Sequence, residues 1–317
     1  MADGAARSGG GRRLLQLAFS VAAVALIARH VDLRETGRVL AAVRFGWLGA
    51  AIATYLVGQV MSAYRWRLIG VSVGIRDPFE DYVRYYFIGM FFMFFGPSTL
   101  GGDVVRSLYL AAEGGRRARA FNTVLFDRLN GLVVLVAIGA AAFLVFPRFD
   151  LPTPLFYATV AFGTALVLGW SLAPWLAALV LPADHRLRRF IEGDLGPLWH
   201  DHRMLVTISA VSLAFHFVQI AAQLMVSRAL GLAVPFAYVC VFHPLVSVLA
   251  SIPVSLSGIG LRESGYLYFL TKIGIDQASA VAYGTLWFLV IVANSLIGGL
   301  VFLASGARLP ALRDTAA

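Results

Sequence analysis

Residues 96–103 read Gly96-Pro97-Ser98-Thr99-Leu100-Gly101-Gly102-Asp103 and interrupt an apolar segment of the chain. The apolar part before them, Tyr85 to Phe95, has 11 residues and would form a helix about 16 Å long. That is roughly half the hydrocarbon thickness of a bilayer. Gly and Pro can break a helix at membrane depth only where the freed backbone groups face protein or a water-filled cavity. The stretch therefore predicts a helix that turns back or continues as a broken one, followed by a short helix over Val104 to Ala112.

A second interruption has the same character. The apolar segment Pro235 to Ile252 ends at Pro253-Val254-Ser255-Leu256-Ser257-Gly258-Ile259-Gly260, and a helical piece, Leu261 to Thr271, follows it. This segment is longer and carries Pro244 midway, so the pattern does not fix how deep it lies.

The composition places both interruptions in a membrane protein. Of the 317 residues, 59% are hydrophobic and 14% are charged, whereas an ordinary soluble chain carries about 25% charge. These values exclude a soluble enzyme, a nucleic-acid-binding domain and a disordered chain, so no nucleic-acid partner is expected. With a single cysteine, Cys240, the chain cannot form an intrachain disulfide.

Six further stretches are apolar and long enough to cross the bilayer, which makes the predicted fold class an all-α polytopic membrane protein. We interpret the first stretch as a retained span, because no secretory cleavage site followed by a polar domain is present. The six predicted spans are Leu14 to Ala28, Phe45 to Ala63, Leu129 to Phe146, Leu155 to Leu181, Met204 to Val226 and Ala278 to Ala304.

The distribution of basic residues distinguishes re-entrant hairpins from full spans. With two re-entrant hairpins and a cytoplasmic N-terminus, 16 basic residues lie in inner loops and 7 in outer loops; two full crossings give 11 and 12. Only the re-entrant topology follows the positive-inside rule. The inner residues are Arg7, Arg12, Arg13, Arg65, Arg67, Arg76, Arg84, Arg116, Arg117, Arg119, Arg186, Arg188, Arg189, Arg203, Arg308 and Arg313; the outer ones are Arg29, Arg34, Arg38, Arg44, Arg148, Arg228 and Lys272.

This topology divides the membrane region into two inverted repeats, each with three spans and one hairpin. Inverted repeats with paired broken helices are typical of transporters that bind their substrate near the midplane. The alternative is that two Gly/Pro breaks fall at matching places by chance. The predicted regions are an N-terminal cytoplasmic tail (1–13), two repeats (14–146 and 155–304) joined by an outer linker (147–154), a cytoplasmic loop (182–203) in the second repeat and a C-terminal cytoplasmic tail (305–317).

Charged residues beside the two breaks are the first functional candidates, since a charge at membrane depth persists only if it is paired or lines a cavity. Asp103 and Arg106 share a helix face in the first hairpin, and Arg262 and Glu263 follow the second break. The glycine-flanked helix starts would also direct backbone N–H groups toward an anion. In the structural alternative, Asp103 is an N-cap and Arg106 neutralises it.

Asp127 and Arg128 form a third candidate pair, at the start of the span that begins near Leu129. They are either interfacial charges that reach toward the headgroups or a contact for a lipid headgroup at the inner mouth. The chain has no Walker A, H-E-x-x-H or G-x-S-x-G motif, so neither a metal nor a cofactor is expected.

Three segments resemble the signatures of the lysylphosphatidylglycerol synthase transmembrane-region family, also called flippase-like. They are Phe95 to Arg106, Leu125-Phe126-Asp127-Arg128-Leu129-Asn130-Gly131, and Pro253 to Glu263, and the similarity covers about residues 10 to 305. The resemblance implies a membrane domain that moves lipids between leaflets, without the synthase's aminoacyltransferase region. By motif match, the substrate-binding candidates are Gly101, Gly102, Asp103, Arg106, Asp127, Arg128, Gly258, Gly260, Arg262 and Glu263.

The resulting functional hypothesis is a flippase or transporter in a bacterial inner membrane. It would bind an anionic phospholipid or polyprenyl-phosphate-type lipid in a midplane cavity, with Arg106 and Arg262 neutralising the phosphate. Two alternatives stay open: a membrane-embedded lipid-phosphate transferase or hydrolase with Asp103 or Glu263 as general base, and a non-catalytic partner of a lipid or glycolipid biosynthetic enzyme.

Overall fold

The computed structural model describes residues 17–19, 21–22, 24–29, 31–95, 101–111, 117–146, 149–194, 196–252, 254–255 and 258–306, with the backbone alone at Arg186, Asp194, Pro197 and His200. The predicted N-terminal tail and nearly all of the predicted C-terminal tail lie outside the described residues. So do parts of the two breaks, namely 96–100, 253 and 256–257.

The described residues form helices joined by turns and contain no strand, which confirms the all-α class. A π-helical turn, Phe190–Asp194, lies between α9 and α10. The helices are α1 (Leu17–Arg29), α2 (Leu33–Ala41), α3 (Phe45–Ser72), α4 (Phe79–Phe95), α5 (Gly101–Leu110), α6 (Arg117–Val145), α7 (Thr153–Ser171), α8 (Ala173–Val180), α9 (Arg186–Arg189), α10 (Gly196–His200), α11 (His202–Ala229), α12 (Phe236–Ser251), α13 (Leu261–Lys272) and α14 (Gln277–Ala304).

Five of these helices are long and apolar enough to cross a membrane: α3, α6, α7, α11 and α14. The chain is therefore a multi-pass membrane protein, and these five helices correspond to five of the six predicted spans, all but the first. Helix α1 is shorter than a full span and runs over residues outside the described set. The predicted span Leu155 to Leu181 is two helices, because Pro174 lies in the first turn of α8 and Leu172 leaves the helical conformation.

The chain divides into two compact units. Unit 1 comprises Met1–Tyr55, Leu135–Ala165 and Phe217–Ile291; unit 2 comprises Leu56–Val134, Leu166–His216 and Val292–Ala317. Each unit contains one of the two interrupted segments. The inverted repeat, the inside and outside assignments and the re-entrant topology stay predictions.

The first interrupted segment, in unit 2, is a pair of antiparallel helices, α4 and α5. The Tyr85 and Tyr109 rings stack with centroids 5.1 Å apart at one end. Toward the other end, a Cβ atom added to Gly102 would lie 2.1 Å from the Gly89 carbonyl oxygen. Helix α4 begins at Phe79 and has 17 residues, about 25 Å, so the predicted 11-residue helix from Tyr85 was too short. The first turn of α4 is acidic, which is favourable at a helix N-terminus. Because that turn is not apolar, the apolar pattern of the sequence did not show where the helix begins.

Within unit 2, the N-terminal part of α4 packs in a buried hydrophobic cluster. The Trp66 ring of α3 lies edge-on to the Tyr82 ring of α4, with centroids 4.9 Å apart. The Trp66 indole N–H donates to Thr123 Oγ1 of α6 at 3.0 Å. These contacts fix α4 against the two neighbouring helices that carry the charged residues described below.

The second interrupted segment, in unit 1, is likewise a pair of antiparallel helices, α12 and α13. Tyr238 donates its O–H to the Phe269 carbonyl at 2.6 Å, and the Phe242 and Tyr266 rings lie 6.0 Å apart. Gly258 has φ +79°, and a Cβ atom there would lie 2.8 Å from the Ala250 carbonyl oxygen, so only glycine fits this turn.

The close approach of α4 and α5 predicts that Gly102→Ala destabilises the protein. The added methyl group overlaps the Gly89 carbonyl oxygen, and overpacking of this kind costs about 1–3 kcal/mol. Gly169→Ala is the matched control, because a Cβ atom there meets nothing within 4 Å. Thermal unfolding in detergent measures both variants; equal melting temperatures would contradict the close contact.

Candidate functional site

A buried arginine in α3 begins the candidate site. Arg65 is 4% exposed, although the positive-inside count assigned it to an inner loop, and that assignment was wrong. Gln59 and Ser62 are also buried and lie six and three residues before it. This three-residue spacing places the three polar side chains on one side of the helix. The spacing is a signal in the sequence that could have identified Arg65 as a buried residue.

Asp127 of α6 joins two arginines from different helices. Its Oδ1 accepts from Arg65 Nε at 2.7 Å, and its Oδ2 accepts from Arg106 Nη1 and Nη2, each at 3.2 Å. The carboxylate is 2% exposed. Asp127 is therefore a buried ion-pair residue, and the interpretation that it reaches toward the interface was wrong.

Arg106 of α5 is held on several sides. Its side chain is 4% exposed, and its guanidinium carbon lies 5.0 Å from the Trp66 ring centroid and 5.2 Å from that of Tyr86. Its Nε donates to Asp103 Oδ1 at 3.2 Å. The guanidinium is thus paired with two carboxylates and packed between aromatic faces, an environment that holds it in place.

Asp103 connects Arg106 to a third arginine. Arg128 of α6 donates to Asp103 Oδ1 from Nε at 3.1 Å and from Nη2 at 3.0 Å, and its Nη2 also lies 3.1 Å from Met93 Sδ. Asp103 is the third residue of α5, so it is not the N-cap, although its predicted pairing with Arg106 is present. The Arg128 side chain is 49% exposed, the highest exposure among these charged groups.

Together these contacts form an ion-pair chain, Arg65–Asp127–Arg106–Asp103–Arg128, in which cations and anions alternate. Three guanidinium groups and two carboxylates give the chain a net charge of +1. Four of its members are buried or nearly so, and the exposed end is Arg128. Both ends of the chain are cations, and Arg128 is the end that is exposed.

Neutral polar groups support the buried end of the ion-pair chain. Ser212 Oγ accepts from Arg65 Nη1 at 2.9 Å and donates to Asn130 Oδ1 at 2.6 Å. A Cβ atom on Gly131 would lie 3.3 Å from Arg65 Nη1, so the glycine leaves room for the guanidinium. These contacts explain the Asp-Arg-x-Asn-Gly sequence at 127–131: it supplies a counterion, an exposed cation, a hydrogen-bonding amide and space.

The structure places the remaining candidates in unit 1. Glu263 is the third residue of α13, as Asp103 is of α5, and its Oε2 accepts from the Gly260 N–H at 2.6 Å. Arg262 lies beside Gly258, with Nη2 3.2 Å from the position of an added Cβ atom. Counted from the start of each helix, the acidic residue is third in both, whereas Arg106 is sixth in α5 and Arg262 is second in α13. The described residues contain no group of three or more His, Cys, Asp or Glu side chains placed to hold a metal ion.

The sequence thus predicted four members of the ion-pair chain, Asp103, Arg106, Asp127 and Arg128, and missed Arg65. Gly101 and Gly102 begin α5, and Gly102 permits its contact with α4. A cleft of about 20 Å³ beside Asp103, Arg106 and Arg128 has room for about one water molecule.

The central position of Asp127 predicts that Asp127→Asn is strongly destabilising. The change leaves Arg65 and Arg106 buried with one counterion fewer, and breaking a buried pair costs about 3–5 kcal/mol. Asp81→Asn is the control, because its ion pair with Arg84 is partly exposed and such pairs contribute about 1 kcal/mol or less. Unfolding by sodium dodecyl sulfate in mixed micelles measures the difference; similar losses in the two variants would show that Asp127 is not central.

Comparison with known proteins agrees with the fold and the motifs. One relative, the UPF0104 membrane protein PH1989 of Pyrococcus horikoshii, is 23% identical over 136 residues, which cover 42% of this chain and 41% of that protein. The chain thus spans less than half the length of the curated relative it matches. The family described as "Lysylphosphatidylglycerol synthase TM region" matches residues 13–299, nearly the whole chain. This protein therefore belongs to the lysylphosphatidylglycerol synthase transmembrane-region family.

Proposed function

We propose that the protein binds the phosphate of an anionic lipid at Arg128 and helps the headgroup cross the bilayer. The observation that carries the proposal is the ion-pair chain, which has a net charge of +1 and whose one half-exposed member, Arg128, is a cation. An anionic phospholipid or a polyprenyl-phosphate-type lipid supplies the matching charge. A bacterial inner-membrane location with cytoplasmic termini belongs to the same proposal.

The position of Arg128 supports this role. It lies 11 residues after α6 begins, about 16 Å along the axis of a helix apolar enough to cross a membrane. An exposed guanidinium is costly in hydrocarbon unless it has a counter-charge or lines a wet path. Asp103 supplies only part of that counter-charge, because it is shared with Arg106. A lipid phosphate would supply the rest.

The proposal assigns the headgroup to Arg128 rather than to Arg106, the residue expected from the sequence. Arg106 is buried and already bonded to two carboxylates, so a phosphate would have to displace both. The adjacent cleft holds about one water molecule and is too small for a headgroup. The phosphate would instead bind on the open side of Arg128, where a guanidinium can make bidentate contacts.

Binding and movement are favoured over covalent chemistry because each candidate base already accepts hydrogen bonds from the protein. Asp103 Oδ1 accepts from two arginines, and Glu263 accepts from the Gly260 N–H. Both carboxylates therefore have a structural role within their own hairpins.

The proposal predicts that Arg128→Gln weakens binding of an anionic lipid about tenfold, because a charge-assisted contact is lost. Arg84→Gln is the control, since Arg84 is similarly exposed, at 45%, and pairs with one aspartate outside the ion-pair chain. Native mass spectrometry measures retained lipid. A membrane-impermeant quencher measures headgroup crossing for a labelled lipid in proteoliposomes.

Four outcomes decide the proposal. Reduced binding and reduced crossing in Arg128→Gln alone support it. Equal binding in both variants contradicts the site, and normal crossing with reduced binding contradicts its role in transport. A covalently changed lipid in the product would favour the enzymatic alternative.

A further inference from the structure

We infer that the site selects lipids whose phosphate headgroup also carries a hydrogen-bond donor, a hydroxyl or an ammonium N–H. This inference rests on the proposed function and names the substrate class of the same site. It follows from the second oxygen of Asp103, which the proposed phosphate contact does not use.

The two oxygens of Asp103 differ in their partners. Oδ1 accepts from Arg106 Nε and from Nε and Nη2 of Arg128. Within the described part of the chain, no donor is bonded to Oδ2. The side chain is 14% exposed and lines the cleft next to Arg128, so an incoming group can reach it.

The exposed end of the ion-pair chain therefore presents a cation and an acceptor side by side. An ionised carboxylate accepts about four hydrogen bonds, so Asp103 has unused capacity. A phosphate placed on Arg128 brings its esterified group within reach of Asp103, because Arg128 Nη2 lies 3.0 Å from Asp103 Oδ1. A hydroxyl or ammonium on that group would donate to Oδ2, whereas a donor-free group would leave the carboxylate facing the phosphate.

Four lipids separate these cases at matched chain length. Phosphatidylglycerol and phosphatidylmethanol both carry one negative charge, but only the first has headgroup hydroxyls. Phosphatidylethanolamine and phosphatidylcholine are both zwitterionic, but only the first has N–H donors. Each is titrated as a guest lipid into nanodiscs that contain the full chain, and bound lipid is counted by native mass spectrometry.

We expect the donor-bearing member of each pair to bind about tenfold more tightly than its donor-free partner, the effect of one hydrogen bond to a charged acceptor. In Asp103→Asn this preference falls below about threefold, because the acceptor loses its charge. Phosphatidylmethanol binds this variant at least as well as the wild type, since Arg128 loses a competing carboxylate. Asp81→Asn keeps the tenfold preference.

The results distinguish this inference from the proposed function. If all four lipids bind equally and Arg128→Gln weakens them all, the phosphate site stands and the donor preference is wrong. If binding is insensitive to Arg128→Gln, both are wrong. Displacement of lipid by equimolar glycerol phosphate would show that the ligand is a free phosphate ester and would overturn the choice of a lipid. Asp103→Asn is expected to melt at a lower temperature, because Arg106 and Arg128 lose a counterion, and a cooperative transition above the assay temperature checks that the variant is folded. The four-lipid comparison in the wild type tests the donor preference independently of this variant.

Discussion

The carboxylate of Asp127 lies buried between the guanidinium groups of Arg65 and Arg106, and the arrangement of unit 2 depends on this contact. Removing three charges from water costs several kcal/mol per ion, so the pairing is not a source of stability in itself. Its effect is to specify which helices meet. Helices α3, α5 and α6 each bring one charge to a common point, and any other register would leave a charge without its counterion.

The packing of α4 against α5 depends on this buried contact of Asp127. Helix α5 can reach Asp127 only if it lies close to α4, and the contact between Gly89 and Gly102 allows this approach. The aromatic faces of Trp66 and Tyr86 then enclose Arg106. With the inner charges fixed, Arg128 is left as the exposed end of an alternating row, and the electrostatic asymmetry of the site is a consequence of its packing.

Local patterns in the sequence predicted much of this, and the limits have physical causes. Hydropathy predicted all five long helices and gave both ends of α11 and α14 to within three residues, since length and composition are local properties. The Asp103–Arg106 pair is three residues apart on one helix and could be read directly. Arg65 pairs with Asp127, which lies 62 residues further along the chain. The part of α3 around Arg65 is rich in polar and aromatic residues, as membrane interfaces are, so the sequence analysis placed Arg65 in a loop. The division at Pro174 was missed because the apolar run continues through it.

The order of the residues along the chain bears on how the protein is made. Arg65 and Arg106 are both synthesised before Asp127, which follows Arg106 by 21 residues. During membrane insertion, Arg65 therefore precedes its counterion, and Arg106 has only Asp103 as a partner until α6 is synthesised. The first hairpin is thus completed by a helix that is synthesised after it.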